Sequence, residues 1–220
     1  MSQDLTVLFY SASTENEKFE SAVRENILKQ KGDLPLISVT QKPQPNFGQN
    51  ICVGPQYNCY GNEFRQIQIG LKEVKTEYVL VAEADVLYPP EYFSFTPQGA
   101  DYYRYANVWV NYVLDIGKKN KAYFKLYSDG AQIMKTEYWL NLINQTIGND
   151  PYWFTKTNTC PKLYRLETDP KNTWTSENPV ITFKTTSGVS RYTSIRKDIE
   201  PKVVLPYWGD INKLKRKLFL

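Results

Sequence analysis

Residues 76–93, TEYVLVAEADVLYPPEYF, decide how this chain reads. An apolar run, Tyr78 to Ala82, meets two carboxylates, Glu83 and Asp85, separated by one alanine, and the chain then turns through Pro89 and Pro90. Carboxylates are rarely buried without a partner. In extended backbone, residues two apart point to the same side. Glu83 and Asp85 can therefore face one cavity, where each raises the other's pKa unless a cation or donor intervenes. The plain alternative is a strand end that surfaces into solvent.

The elements upstream favour a site. LTVLFY, residues 5–10, reads as a first strand. A helix follows, with Thr14 and Glu17 spaced as a capping box, Phe19, Val23 and Ile27 on one face, and Gly32 closing it. LPLISVT is a second strand, and QKPQPNFGQN a loop. A second helix runs over 62–74, with Phe64, Ile67, Leu71 and Val74 on one side. This alternation predicts an α/β fold with a mostly parallel sheet flanked by helices. In such sheets ligands bind beyond the carboxyl ends of the strands, where Glu83 and Asp85 fall. From residue 100 the aromatic segments ADYYRYANVWVNYVLD and KAYFKLYSDGAQIMK read as antiparallel strands added to the sheet. TEYWLNLINQTI reads as a helix capped by Thr136. A long Pro-, Asn- and Asp-rich loop region follows, with one strand at 180–183, and the tail KLKRKLFL is a helix or a frayed end.

Composition narrows the chemistry. The 220 residues suit one domain, 41% hydrophobic and 23% charged. No apolar run is long enough to cross a membrane. The N-terminus has no secretory signal pattern, and the three scattered cysteines suit a reducing cytoplasm. With no histidine, His-based nucleophilic machinery and the common zinc sites are excluded. A bound metal would take oxygen ligands, as Mg2+ or Mn2+ does. The net charge of +4 leaves room for an acidic partner.

YGNEFRQIQIGLKEVKTEYVLVAEAD, followed by LYPPEYF, resembles the acid-x-acid segment of GT-A fold glycosyltransferases of the family 2 type, and the order of elements over residues 5–95 is similar to theirs. The resemblance implies a single GT-A-like domain, with residues 1–99 binding a nucleotide-sugar donor and 100–220 forming the acceptor half and tail. It implies a divalent ion, Mn2+ or Mg2+, on the donor diphosphate, with Asp85 as its ligand and Glu83 supporting it or contacting the ribose. Ser11, Ser13 and Thr14 would lie beside the nucleoside, and Arg65 would reach the diphosphate. An inverting transfer needs a base at the acceptor hydroxyl, with Asp129 and Asp150 as candidates. Asp129 also belongs to an Asp-Gly pair, a hairpin signal.

Two departures from the family pattern stand out. SVTQKP lacks the acidic residue that commonly reads the donor base. The late histidine ligand has no counterpart; a Thr or Ser of NPVITFKTTSGVS stands in that region, and Asp210 is a substitute metal ligand. The acceptor is open, with DNA bases or a glycan both in view, since the tail carries four cations. Two rival classes are a nucleotidyltransferase and a non-catalytic nucleic-acid-binding protein. The first would carry an early glycine-rich phosphate loop, which YSASTENEK is not. The second needs no acidic pair at a strand end.

Overall fold

The computed structural model describes residues 4–148, 152–156 and 169–220. Strand β1 (Leu5–Ser11) is followed by α1 (Glu17–Gln30), β2 (Leu36–Thr40), β3 (Gln49–Cys52), α2 (Tyr60–Glu73), β4 (Tyr78–Glu83) and β5 (Val86–Leu87). The second half contributes β6 (Tyr102–Tyr105), β7 (Val108–Tyr112), β8 (Ala122–Leu126), β9 (Gln132–Lys135), α3 (Thr136–Ile147), β10 (Thr173–Trp174), β11 (Val180–Lys184), β12 (Val204–Leu205), β13 (Gly209–Asp210) and α4 (Ile211–Phe219).

The main sheet has seven strands in the order β10-β6-β9-β4-β1-β2-β3. Its pairings are parallel except at β9, which runs antiparallel to both β4 and β6. This is the mixed α/β architecture expected from the alternation of elements. Strands β1 and β2 are buried along their whole length, as strands covered on both faces must be. The period of two sorts their side chains. Leu5, Val7 and Phe9 enter the core under α1, with Tyr78, Leu80 and Ala82 of β4. Leu8 and Tyr10 enter the core under α2 and α3, with Val79 and Val81. On α2, Gly70 lets the helix seat on the sheet, because a Cβ there would lie 2.4 Å from Leu8 Cδ1.

A second sheet, β5-β11-β7-β8, lies beyond the main one. In it β5 and β11 run antiparallel, with Thr182 opposite Val86 and Ile181 opposite Leu87. The Phe183 N–H donates to the Asp85 carbonyl (2.8 Å). The same register carries Lys184 to the level of Ala84, between the two acids. Among the described residues, no helix is long and apolar enough to cross a membrane.

Several local expectations are corrected. Asn16, not Thr14, caps α1, its Oδ1 accepting from Phe19 N–H (3.1 Å). Glu17 instead accepts from Arg24 (2.8 Å). Lys135 holds the cap position of α3, while the Thr136 hydroxyl donates to the Thr76 carbonyl (2.9 Å). Part of the presumed loop after β2 is the edge strand β3, four residues without alternation in burial. The Asp129-Gly130 pair closes no hairpin. It sits in a turn where Ala131 N–H donates to the Ser128 carbonyl (3.1 Å), and the strands it joins, β8 and β9, belong to different sheets. The tail is the helix α4, not a frayed end.

Candidate active site

The acid-x-acid segment opens into a cavity of about 280 Å³ at the carboxyl ends of β1 and β4. Its floor includes Ser11, Glu83, Ala84 and Asp85; the start of α2 supplies Cys59, Tyr60, Asn62, Glu63 and Gln66. Lys125 and the turn Ser128-Asp129-Gly130 form one wall, and Lys184 with Gly188 to Ser190 another. Tyr57 and Tyr192 line the mouth and are exposed.

Glu83 is the most constrained acid. Its Oε1 accepts from the Tyr10 hydroxyl (2.7 Å). The buried Tyr88 hydroxyl accepts from Glu83 N–H (2.9 Å) and donates to the Gly130 carbonyl (2.7 Å), which ties the end of β4 to the β8–β9 turn. Gly130 is needed there: a Cβ would lie 2.2 Å from Glu83 Oε2. Tyr92, in the turn begun by the double proline, donates to the Val81 carbonyl (2.7 Å) and pins that turn under β4. Burial, then the charge on Asp85, pushes the Glu83 carboxyl up to about 7.

Asp85 faces the same cavity with a different partner. Lys184 Nζ lies 3.5 Å from its Oδ2, and both side chains are 17% exposed. The Lys184 pKa is raised, chiefly by Asp85. Glu15, from the segment before α1, joins the group; its Oε1 accepts from the Thr185 hydroxyl (2.7 Å). Burial, then Asp85, lifts Glu15 to about 7. Lys125 donates to Ser128 Oγ (3.1 Å), and its pKa is lowered by burial first and by Lys184 second. Asp129 accepts from Arg104 (2.8 Å), which stacks over the Tyr127 ring. Burial raises the Asp129 pKa, and Arg104 opposes that rise.

The sequence candidates divide accordingly. Ser11, Thr14, Glu83, Asp85 and Asp129 all line the cavity. Ser11 Oγ donates to Glu20 (2.9 Å) and accepts from Ser13 N–H (2.8 Å), so it also shapes the loop. Ser13, at φ 52°, is buried, and its Oγ accepts from Lys42 N–H (3.3 Å); it does not line the cavity. Arg65 is turned to the end of α3, donating to the carbonyls of Gly148 (3.2 Å) and Ile147 (3.4 Å) and to Gln68 (2.6 Å). It neutralises the exposed carbonyls of a helix terminus rather than reaching the cavity. Asp210 caps α4, accepting from Asn212 N–H (2.8 Å) and Lys213 N–H (3.0 Å), and lies outside the cavity lining. Asp150 falls outside the described residues.

Glu15, Glu63, Lys125 and Lys184 are the charged members that sequence reasoning missed. Lys184 carried a usable signal, because it ends an apolar strand as Asp85 follows one. Glu15 and Lys125 carried none, since each is an ordinary charge beside polar neighbours.

The metal expected from the sequence can be tested against these side chains. Ligating carboxylates must be deprotonated. Asp85 is engaged by an ammonium, and Glu83 and Glu15 accept from the hydroxyls of Tyr10 and Thr185. Among the described residues, no three Asp, Glu or Cys side chains converge to hold an ion. With Asp85 paired to Lys184 and no such cluster among the described residues, these side chains form no ready-made cage for Mn2+ or Mg2+.

No protein-family model matches the sequence, and no curated protein does. Several solved structures are similar. Residues 1–349 of S. aureus TarS align at 14% identity and a TM-score of 0.40, over 63% of this chain and 48% of that one, so the match spans about half of TarS 1–349. Glucosyl-3-phosphoglycerate synthase from Mycobacterium tuberculosis aligns at 12% identity and a TM-score of 0.36, over 62% and 58%. The inositol-1-phosphate CTP transferase of T. maritima aligns at 10% identity and a TM-score of 0.47, over 99% and 97%. Likeness at this level leaves function to be argued from the cavity.

Proposed function

We propose that this protein is a glycosyltransferase that moves a sugar from a nucleotide-sugar donor to an acceptor hydroxyl. The observation that carries the reading is convergence. Asp85, Lys184 and Asp129 come from three separate parts of the chain and meet in one cavity at the carboxyl ends of a parallel sheet. Carboxylates perturbed by burial in a cleft, as Glu15, Glu83 and Asp129 are, mark a candidate functional site.

Asp129 is the base. Arg104 pairs with its carboxylate, and burial raises its pKa and makes it a stronger proton acceptor than a solvated aspartate. The acceptor oxygen attacks the anomeric carbon as its proton passes to Asp129. The bond from that carbon to the diphosphate oxygen breaks, and the electron pair leaves with the nucleoside diphosphate. The stereochemistry inverts. Tyr57 and Tyr192, exposed at the cavity mouth, offer ring faces to the nucleobase.

The test is a screen of UDP-, GDP-, dTDP- and CMP-sugars for nucleotide release. Slow hydrolysis without acceptor is the expected result, because water enters an empty acceptor pocket. Release of pyrophosphate from a nucleoside triphosphate, with no sugar nucleotide consumed, would replace this reading with nucleotidyl transfer.

A further inference from the structure

Two ammonium groups, Lys125 and Lys184, line the cavity. Asp85 is matched by Lys184 and Asp129 by Arg104. Glu15 and Glu83, both near 7, are only partly ionised at neutral pH. Lys125 donates to a hydroxyl, and among the described residues it makes no ion pair. Lys125 is thus an ammonium with no carboxylate at ion-pair distance among the described residues, in the same cavity lining as Lys184. Each ammonium has three donors. Lys184 spends one on Asp85 and Lys125 one on Ser128, so both have donors left to offer. They are near enough for Lys184 to depress the Lys125 pKa, and a shared anion would relieve that repulsion.

Lys184 stands where a divalent ion on Asp85 would stand, and its own position is fixed by structure. The β5–β11 register carries it to the level of Ala84, and Asp85 holds the ammonium at 3.5 Å. We propose that Lys184, with Lys125, grips the diphosphate of the donor and stabilises the leaving group, so that transfer needs no divalent ion. The proposal rests on the nucleotide-sugar reading above. As the anomeric bond breaks, its electron pair goes to the bridging phosphate oxygen. The ammonium hydrogen bonds, already aimed at the phosphate oxygens, strengthen as that charge grows, and no proton leaves either lysine.

Calorimetry of UDP, GDP, dTDP and CDP in EDTA, then with Mn2+, tests this on the wild type and on Lys184→Met, Lys184→Arg and Lys125→Met. The expected result is binding in EDTA within about threefold of that with Mn2+. Lys184→Met should weaken the diphosphate by about 10- to 100-fold, the range of a lost charge-assisted hydrogen bond. Binding of the parent nucleoside should stay within about twofold in that variant, which shows a folded base pocket. Lys184→Arg should recover most of the affinity, and Lys125→Met should lose about 3- to 10-fold. Diphosphate binding that vanishes in EDTA, or that survives Lys184→Met unchanged, overturns the lysine site and leaves the glycosyltransferase reading standing. Lysine-dependent binding with no sugar released from any donor supports the lysine site and sinks that reading. No binding of any nucleoside diphosphate, with or without Mn2+, overturns the proposal.

Discussion

Single residues in this cavity carry opposed demands, and Glu15 shows the conflict most directly. Its carboxyl is raised from 4.5 to about 7, by burial first and Asp85 second. A group with a raised folded-state pKa binds its proton more tightly when folded. Its contribution to stability is complete below about pH 4.5 and is lost as pH rises through about 7. Glu83 acts over the same window. Glu15→Gln, which stays neutral and keeps an acceptor for Thr185, should flatten part of that slope. At pH 8 it should stabilise the fold by about 1–2 kcal/mol, the linkage value discounted for partial exposure. Denaturant melts at pH 5 and pH 8 check this; a variant no more stable than wild type at pH 8 refutes it. Gly130 carries a steric demand instead. Gly130→Ala puts a Cβ against Glu83 Oε2, whose carboxyl Tyr10 holds in place. The turn must shift and take Asp129 with it. Turnover should fall at least about tenfold, because small misplacements are costly in catalysis, with a stability loss of about 1–3 kcal/mol. Steady-state rates beside thermal melts separate the two effects.

Helices and strands were legible where the apolar period was strong. Strands β1, β2 and β4 and helices α1 and α2 follow from runs and faces visible in the sequence. Ends were less legible, because several polar residues compete for one capping role: Thr14, Asn16 and Glu17 all sit within four residues, and only the backbone path selects Asn16. The same uncertainty made Asp210 resemble a metal ligand. Two N–H bonds to its carboxylate show a helix cap, and they lower its pKa. Asp210→Ala should cost about 1 kcal/mol, as lost caps do, and leave nucleoside diphosphate binding unchanged. Thermal melts and the calorimetric titration check both halves. Weakened binding in a folded variant would return Asp210 to the site.

Across the whole molecule, the hidden information is long-range. Asp85 and Lys184 meet from 99 residues apart, and Tyr10 and Glu83 from 73. Periodicity within a segment cannot report such pairs. The tail makes the same point. Four cations in its last eight residues suggested a solvated arm for a polyanion such as DNA. In the fold, Lys213, Arg216 and Lys217 are exposed, but Lys215 is buried, its ammonium donating to the carbonyls of Asp115 and Lys118. Leu218 and Phe219 are buried too, and Phe219 stacks on Phe19 of α1 with ring centroids 4.3 Å apart. Loss of a buried leucine costs about 2–5 kcal/mol and of a buried phenylalanine about 3–5, against a typical total stability of about 5–15. Truncation after Asn212 should therefore leave a chain that is largely unfolded at 37 °C. Replacing only Lys213, Arg216 and Lys217 with Gln should keep stability within about 1 kcal/mol, since these side chains are exposed. Circular dichroism melts of both variants decide the matter. A truncated protein that melts like the full chain would show that α4 contributes no core, and would return the tail to the role of a detachable basic arm.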